Sequence, residues 1–380
     1  MSRTLVVHVP YAAVHDVLDP ERLRRVGRDA AEEADVEVLT TPWGITSAER
    51  LARARDPYSA ELRELEAPLT AEQAEAFGRA EVLFTLDVPL DLSRRAPNVR
   101  WVQTVASGVA QFVAARLDEA GVVLTNGAGI GSTPIAEWVL ARVLQMVKSL
   151  PVHDEQARRA EWRRAPGGVL EGSTMAVVGL GAIGRAVARR ARALGVHVIG
   201  VRRSVDHGAT DPDVDELVPA DRLHEVLHRS DVAVLCAAGS QANRDLFDAA
   251  AFAAMPQGAR FVNVSRGDLV VEEALVAALE SGHLAGAAID VARTEPLPPQ
   301  DPLWQAPNLL ISPHSSATGE AFAPRALGLF VENLGRYLSG EPLLNVVDLV
   351  AQYGAPPPGD RPPVVPGPDP TRAGVPEGDR

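Results

Sequence analysis

Cysteine is nearly absent from this 380-residue chain, in which Cys236 is the only one. An intrachain disulfide is therefore excluded, and no Cys/His cluster suggests a metal site. Long apolar runs are also missing, since none approaches the roughly 20 residues that a helix needs to cross a bilayer. Residues 2–9 have the pattern of a first strand rather than a signal peptide. These absences predict a cytoplasmic protein without a membrane partner.

Basic residues are in deficit, with 37 Lys and Arg against 50 Asp and Glu, for a formal net charge of −13. A surface of this sign argues against nucleic acid as the main partner. Any positive charge that binds an anionic ligand must then be local. The chain is long enough for two domains with separate cores.

Strand-like and helix-like segments alternate along most of the chain. Strands separated by helices indicate parallel, doubly wound sheets, so the predicted fold class is α/β with two such domains. A predicted helix from Thr133 to Leu150 carries the chain into the second domain, and another from about Glu320 to Leu338 returns it to the first. Residues 351–380 are rich in Pro and Gly, which predicts a disordered tail.

The most informative motif is V-V-G-L-G-A-I-G at residues 177–184. An apolar run precedes it and an amphipathic segment follows it, which is the strand, turn and helix setting that the motif requires. Gly179 permits the turn, Gly181 lets the backbone approach a pyrophosphate, and Gly184 allows close packing of helix on strand. The phosphates would lie at the helix N-terminus. The motif predicts a dinucleotide cofactor.

The end of the next predicted strand indicates which dinucleotide. NAD-binding folds place an acidic residue there, on the ribose 2′-hydroxyl, whereas this chain has Arg202 followed by Arg203 and Ser204. A carboxylate would repel a 2′-phosphate, but a guanidinium can pair with it in bidentate fashion. We therefore expect NADP(H) to be preferred, with NAD(H) possible. The alternative is that both arginines are simply solvated.

Three ionisable side chains follow predicted strands of the second domain: Arg266 in N-V-S-R-G, Glu295 in E-P-L-P and His314 in S-P-H-S-S. Ligands of open α/β sheets bind at the edge where strands end. Reduction of a 2-keto acid needs a cation for the carboxylate, a proton donor for the carbonyl oxygen and a hydride from a nicotinamide. Arg266 can supply the first, and His314, oriented by Glu295, the second.

With the glycine turn, these segments resemble the D-isomer-specific 2-hydroxyacid dehydrogenase family, and in type the NADPH-dependent glyoxylate/hydroxypyruvate reductases. Matching segments run from about Val82 to Asp348 and include G-A-A-I-D-V, D-P-L-W and P-N-L-L-I-S-P-H. The resemblance implies a flavodoxin-like substrate domain built from residues 1–127 and 317–350, and a Rossmann cofactor domain from residues 128–316. It also implies a homodimer.

Individual roles follow from the same resemblance. Arg266 would bind substrate, Glu295 would support His314, and His314 would be the acid/base. The loop that binds the substrate carboxylate through backbone amides matches Ser107, Gly108 and Val109. The remaining positions implied to contact the cofactor are Ala182 and Ile183 at the pyrophosphate, Asp290 at the nicotinamide carboxamide, and Val264, Ser265 and Ser316.

Two positions depart from the family pattern. The loop reads Gly-Val-Ala at residues 108–110 where the family has Gly-Val-Asp, and residues 237–239 read Ala-Ala-Gly in place of Thr-Pro-Leu. Neither departure affects the three catalytic side chains. The expected activity is hydride transfer between NADP(H) and a small 2-keto or 2-hydroxy acid of D configuration, of the glyoxylate or hydroxypyruvate type.

Two other functions stay open from the sequence. A phosphite-type dehydrogenase of the same fold also retains Glu at the position of Glu295, and a non-catalytic dinucleotide-sensing protein would keep the glycine turn. The pocket for the substrate side chain should come from loops around residues 41–46 and 87–94, whose shape the sequence does not indicate.

Overall fold

The structure, a computed structural model, describes residues 4–29, 35–118, 120–206 and 208–353. These residues form two compact units, the first within Met1–Gly127 and Ala323–Arg380 and the second within Ala128–Phe322. The sequence predicted that the first domain resumes at residue 317, whereas in the structure the first unit resumes at Ala323. The substrate and cofactor roles of the two units stay predictions.

The first unit contains a five-stranded sheet, called sheet A, in the order β2-β1-β3-β4-β5. All its strand pairs are parallel, and this order is that of flavodoxin-like folds. The inner strands β3 and β4 are buried at every position, as expected for a sheet covered on both faces. The strands are β1 (Thr4–His8), β2 (Asp35–Leu39), β3 (Val82–Thr85), β4 (Trp101–Thr104) and β5 (Val123–Thr125).

The second unit contains a seven-stranded parallel sheet, called sheet B, in the order β12-β11-β10-β9-β6-β7-β8. The order reverses at β6, as in Rossmann folds, so the predicted fold class of two doubly wound parallel-sheet domains is confirmed. The strands are β6 (Thr174–Val178), β7 (His197–Arg202), β8 (Glu216–Pro219), β9 (Val232–Leu235), β10 (Ala259–Asn263), β11 (Leu284–Ile289) and β12 (Leu309–Ile311).

Helices cover both sheets. Among the described residues the α-helices are α1 (Pro20–Asp29), α2 (Ser47–Arg55), α3 (Leu62–Leu65), α4 (Ala71–Arg79), α5 (Leu92–Arg95), α6 (Ser132–Val147), α7 (Leu150–Arg158), α8 (Ala182–Ala193), α9 (Leu223–His228), α10 (Ala249–Ala254), α11 (Glu272–Glu280), α12 (Phe322–Leu338) and α13 (Leu349–Tyr353). Short 3₁₀ helices occur at Ala12–Val17, Ala110–Ala115, Ala220–Arg222, Gln241–Asn243, Gly267–Leu269 and Pro302–Gln305. No helix in the described ranges is both long and apolar enough to span a membrane.

The C-terminal segment differs in part from its prediction. Residues 351–353 complete α13 and are therefore helical, where the sequence predicted a disordered tail from residue 351. The helix packs Leu349 into the apolar core of the first unit, which explains why these residues are helical. The rest of the predicted tail, residues 354–380, lies outside the described residues.

The two faces of sheet B bury separate apolar cores. Side chains alternate along β6, so that Met175 and Val177 enter one core while Ala176 and Val178 enter the other. This alternation follows from the two-residue repeat of a strand. The result is a rigid sheet whose strand ends fix the positions of the loops that follow.

Helix α12 packs on sheet A through aromatic side chains. Phe330 stacks on Phe84 at a centroid distance of 4.4 Å and on Trp101 at 5.4 Å. The buried amide of Asn333 donates to Gln103 Oε1 at 2.9 Å. These contacts join the C-terminal part of the first unit to its N-terminal sheet.

Candidate active site

His314 and Glu295 form a hydrogen-bonded pair on loops that follow strands of sheet B. Nδ1 of His314 lies 2.8 Å from Oε2 of Glu295, and the backbone N–H of Ala292 donates to Oε1 of Glu295 at 3.1 Å. The backbone N–H of His314 donates to the carbonyl of Asp290 at 2.8 Å. The imidazole is thus oriented through Nδ1, and with half of the side chain exposed (51 %), Nε2 is the atom available for proton transfer.

The charge of Glu295 is set by opposing effects. Burial raises the pKa of its carboxyl group, but the hydrogen bond and charge of His314, the Ala292 amide and the charge of Arg266 together hold that pKa below its ordinary value. Glu295 is therefore ionised at neutral pH. An ionised carboxylate only accepts hydrogen bonds, so the hydrogen of the pair lies on Nδ1 of His314.

The lowered pKa of Glu295 predicts a pH-dependent contribution to stability. A carboxyl group with a lower pKa in the folded state stabilises the protein above its unfolded-state pKa, about 4.3, and loses this contribution as the pH falls through the folded-state pKa. Glu295→Gln should therefore lower the free energy of unfolding at pH 7 by no more than about 1 kcal/mol, because solvent screens the partly exposed pair.

Chemical denaturation of wild type and Glu295→Gln between pH 3 and pH 8 measures this effect. The difference between the two proteins should shrink as the pH falls through the lowered pKa of Glu295, because the protonated carboxyl group is then neutral like the Gln side chain. Glu280→Gln, at an exposed position of α11, is the matched control and should show no such trend. A difference that stays constant across the pH range would contradict the ionised pair.

Asp290 holds the loop that carries His314. Its carboxylate is almost fully buried (2 % exposed) and accepts hydrogen bonds from the hydroxyls of Ser312 and Ser316. It also accepts from the backbone N–H groups of Ser315 at 2.9 Å and Ser316 at 3.0 Å. Both carboxylate oxygens are therefore engaged within the second unit, and a role of Asp290 or Ser316 at the nicotinamide stays a prediction.

The turn that presents Arg266 is organised by a buried asparagine. Asn263, the last residue of β10, accepts from the N–H of Ser265 at 2.9 Å and donates to the carbonyl of Arg266 at 3.1 Å. The hydroxyl of Ser265 donates to the carbonyl of Ala237, and Val264 is buried in the core. The side chains of Val264 and Ser265 thus act inside the fold, and their contact with a cofactor stays a prediction.

Two glycines let the Arg266 turn approach its neighbours. A Cβ on Gly267 would lie 2.0 Å from the carbonyl carbon of Ala292, so the Arg266 turn packs directly against the turn that leads to Glu295. A Cβ on Gly239 would lie 2.9 Å from Cγ of Arg266. The expectation that the departure at residues 237–239 does not affect the three predicted catalytic side chains is therefore wrong for Arg266, because Gly239 leaves room for its side chain. Nη1 of Arg266 donates to the Ser265 carbonyl at 2.6 Å.

The glycine turn after β6 leaves an open helix N-terminus. Gly179 has φ +102°, and a Cβ on it would lie 2.6 Å from the Ala237 backbone. A Cβ on Gly184 would lie 2.0 Å from the Gly179 carbonyl oxygen. Gly181 and Ala182 are exposed, and no atom lies within 4 Å of a Cβ on Gly181. A pyrophosphate therefore fits against this backbone, while the partly buried Ile183 packs on the core.

Arg202 ends β7 directly beside the glycine turn, since the N–H of Gly179 donates to the carbonyl of Val201 at 2.9 Å. Arg202, Arg203 and Ser204 are all exposed. Within the part of the chain that the structure describes, neither arginine has a carboxylate within 4 Å, in contrast to Arg185, which pairs with Asp211 at 2.7 Å. Neither guanidinium is therefore paired within this distance, although Arg202 interacts with the Asp211 carboxylate at longer range.

The loop after β4 offers backbone donors on the first unit. Ser107 is held by its hydroxyl, which donates to the Gly127 carbonyl at 3.2 Å, and by its carbonyl, which accepts from Asn126 at 2.8 Å. Ser107 is exposed, Gly108 is half-buried, and the side chain of Val109 is buried in the core. Counting only partners in the described ranges, the backbone N–H groups of Ser107, Gly108 and Val109 donate no hydrogen bond.

The structure brings Arg266, Glu295 and His314 together at the carboxyl edge of sheet B. Sequence reasoning did not identify Asn263, Gly267 and Gly239 as the residues that position Arg266. A polar residue at the end of a buried strand was the available signal for Asn263. Among the described residues, no three His, Cys, Asp or Glu side chains form a group that could hold a metal ion.

The chain is similar in sequence to known proteins. A family model described as "D-isomer specific 2-hydroxyacid dehydrogenase, NAD binding domain" matches residues 140–316. Glyoxylate/hydroxypyruvate reductase B of Citrobacter koseri is 33% identical over 294 residues, which cover 74% of this chain and 89% of that protein. The Klebsiella pneumoniae protein of the same name is 31% identical over 311 residues, with coverage of 78% and 94%.

Solved structures show the same likeness. A D-isomer specific 2-hydroxyacid dehydrogenase from Xanthobacter autotrophicus, in complex with NADPH and MES, has a TM-score of 0.68 at 26% identity and covers 93% of this chain and 100% of its own. An NADPH-dependent glyoxylate/hydroxypyruvate reductase from Sinorhizobium meliloti, in complex with NADP and sulfate, has a TM-score of 0.66 at 26% identity, with the same coverage.

Proposed function

The chain belongs to the D-isomer-specific 2-hydroxyacid dehydrogenase family, and from this premise we propose that it transfers hydride between NADP(H) and a small D-2-hydroxy or 2-keto acid. Its named relatives are dehydrogenases and reductases, so the chain is an enzyme, and a purely sensing role is set aside. The proposed substrates are of the glyoxylate and hydroxypyruvate type. The observation that carries the proposal is the His314–Glu295 pair beside Arg266.

His314 is the proposed acid/base. With Nδ1 bonded to the Glu295 carboxylate at 2.8 Å, only Nε2 can exchange a proton with a substrate. In the reducing direction Nε2 donates its proton to the carbonyl oxygen, and in the oxidising direction it accepts the proton of the 2-hydroxyl. Glu295 stabilises the positive charge that the ring carries before donation.

Arg266 is the proposed substrate-binding cation of the second unit. Its guanidinium can pair with the substrate carboxylate through two parallel hydrogen bonds. The turn that presents it is fixed by Asn263 and by the close approach of Gly267 to Ala292. On the first unit, the unused N–H groups of Ser107, Gly108 and Val109 support the proposal that this loop binds a carboxylate through its backbone.

The residues present fit a nicotinamide dinucleotide. Gly179, Gly181 and Gly184 leave the N-terminus of α8 open for a pyrophosphate, and the exposed Arg202 and Arg203 offer guanidinium groups for a 2′-phosphate. When bound, the nicotinamide supplies or accepts the hydride at C2 of the substrate. A preference for NADP(H) is therefore proposed, with NAD(H) as a poorer alternative. Homodimerisation and a cytoplasmic location stay predictions that rest on the family.

The role of Arg202 predicts a cofactor-selective defect. Arg202→Gln should raise the KM for NADPH by about 10- to 100-fold, because charge-assisted hydrogen bonds to the 2′-phosphate are lost. The KM for NADH should change less than about threefold, since NADH lacks that phosphate. Steady-state kinetics with each cofactor at saturating keto acid measure the two values.

Arg25→Gln, at an exposed position of α1, is the control for a general loss of positive charge and should leave both KM values unchanged. An equal rise for NADPH and NADH in Arg202→Gln would contradict recognition of the 2′-phosphate by this residue.

A further inference from the structure

A polar cluster lies at the carboxyl edge of sheet A, and one of its members, Asp87, belongs to the loop at residues 87–94 whose shape the sequence left open. It consists of Tyr11 after β1, Arg50 in α2 and Asp87 after β3. We propose that Tyr11 and Arg50 bind an oxygen on C3 of the substrate, so that the enzyme favours a 3-hydroxy-2-keto acid, such as hydroxypyruvate, over pyruvate. This inference rests on the proposed function and names its substrate class.

Arg50 is fixed by a bidentate pair with Asp87. Nε of Arg50 donates to Oδ1 of Asp87 at 2.8 Å, and Nη2 donates to Oδ2 at 2.6 Å. The carboxylate of Asp87 is almost fully buried (1 % exposed), whereas the Arg50 side chain is 27 % exposed. Nη2 also reaches the carbonyl of Ile45 at 3.4 Å. Nη1 donates to no acceptor in the described part of the chain, so this N–H edge of the oriented guanidinium remains available to a ligand.

Tyr11 stands beside this pair. Burial raises the pKa of its hydroxyl, the charge of Arg50 lowers it and that of Asp87 raises it, with a net rise. The hydroxyl is therefore protonated at neutral pH and can donate. It has no hydrogen-bond partner among the described residues. The cluster therefore has two unused hydrogen-bond donors, the hydroxyl of Tyr11 and Nη1 of Arg50, and both are partly buried.

The cluster shares its sheet edge with the loop at residues 107–109. The carbonyl of Leu86, next to Asp87, accepts from Thr104 Oγ1 and from Gln111 Nε2, both at 3.4 Å. Helix α2 packs against the 3₁₀ helix Ala110–Ala115, which follows Val109 directly. In open α/β sheets this edge is where ligands bind. The unused backbone donors and the unused side-chain donors are therefore neighbours on one unit.

The charge balance of the cluster selects the ligand chemistry. Asp87 compensates the charge of Arg50, so the cluster offers neutral hydrogen bonding rather than a net cation. A hydroxyl on C3 can accept from Tyr11 or Arg50, whereas the methyl group of pyruvate would leave these polar groups unpaired, which is unfavourable. A second carboxylate at this position would be repelled by Asp87.

The experiment compares wild type and Tyr11→Phe in steady-state reduction of hydroxypyruvate and pyruvate with NADPH. The variant keeps the ring and removes one neutral donor, so the ratio of kcat/KM for hydroxypyruvate to that for pyruvate should fall by about 3- to 10-fold. The matched control is Tyr337→Phe. The Tyr337 hydroxyl of the wild type donates to Oε1 of Glu81 at 2.7 Å. Glu81 directly precedes β3, so this hydroxyl lies at the opposite edge of sheet A from Tyr11. The ratio of the control variant should equal that of wild type.

Arg50→Lys provides a second variant that retains a cation for the buried Asp87 but not the bidentate geometry. Its ratio of kcat/KM for hydroxypyruvate to that for pyruvate should also fall. The midpoint of thermal unfolding, measured on the same variant, reports whether the fold is kept. If a well-folded Tyr11→Phe variant keeps the wild-type ratio of kcat/KM for hydroxypyruvate to that for pyruvate, the inference is overturned but the proposed function is not. No turnover of any keto acid by wild type would instead overturn the proposed function, and the inference with it.

Discussion

Replacement of His314 by Gln should lower kcat/KM for keto-acid reduction by about 10²- to 10⁴-fold, the usual contribution of a general acid. The imidazole is held by Glu295 through Nδ1 and by the hydrogen bond from its own backbone N–H to the Asp290 carbonyl. Glutamine can preserve a hydrogen bond to Glu295 but has no proton to give at the position of Nε2. The loss should therefore appear in kcat as well as in kcat/KM, while the Kd for NADPH, measured by fluorescence titration, stays near the wild-type value.

The control for this prediction is His224→Gln, at an exposed position of α9, which should retain full activity. A His314→Gln protein that folds normally, binds NADPH and reduces keto acids at close to the wild-type rate would remove His314 from the mechanism.

Arg266→Gln should lower kcat/KM by about 10²- to 10³-fold, as expected when one partner of a desolvated, charge-assisted pair is removed. The reason is specific to this site, since Asn263 fixes the turn and Gly239 leaves space for the arginine stem. Arg266→Lys should recover only part of the loss, because an ammonium cannot form the two parallel hydrogen bonds that a guanidinium forms with a carboxylate.

Steady-state kinetics over a wide range of keto-acid concentration separate the effects of Arg266→Gln on KM and kcat. Arg22→Gln, at an exposed position of α1, controls for loss of one positive charge and should behave as wild type. Equal activity of Arg266→Lys and wild type would show that a point charge is sufficient and would contradict bidentate pairing.

The fold was predictable where strands are buried on both faces, because such strands read as continuous apolar runs. β8 (Glu216–Pro219) lacks this signal. β8 is an edge strand with a glutamate and a proline, and Val218 is its only buried residue. Since edge strands tolerate polar residues and proline, its sequence carries little strand signal.

The convergence of Arg266, Glu295 and His314 was predictable because each follows a strand of sheet B, and parallel strands end at one edge. Their supports were not predictable to the same extent. The hydrogen bonds of Asp290 to Ser312, Ser315 and Ser316 depend on the close approach of two loops.

The pairing of Arg50 with Asp87 depends on which strands are neighbours. The two residues are far apart in the sequence and meet only because β3 lies beside β1, between β1 and β4. Side-chain clusters of this kind follow from sheet order and register, which the periodicity of a single chain does not specify.

The most direct test of the account is steady-state oxidation of NADPH and, separately, NADH by the wild-type enzyme with glyoxylate, hydroxypyruvate, pyruvate and longer 2-keto acids. NADP⁺ and NAD⁺ reduction with phosphite is measured in parallel. We expect turnover of small 2-keto acids, with a higher kcat/KM for NADPH than for NADH and no reaction of phosphite. Equal efficiency with both cofactors would contradict the role of Arg202, and turnover of phosphite without any keto-acid reduction would contradict the proposed activity itself.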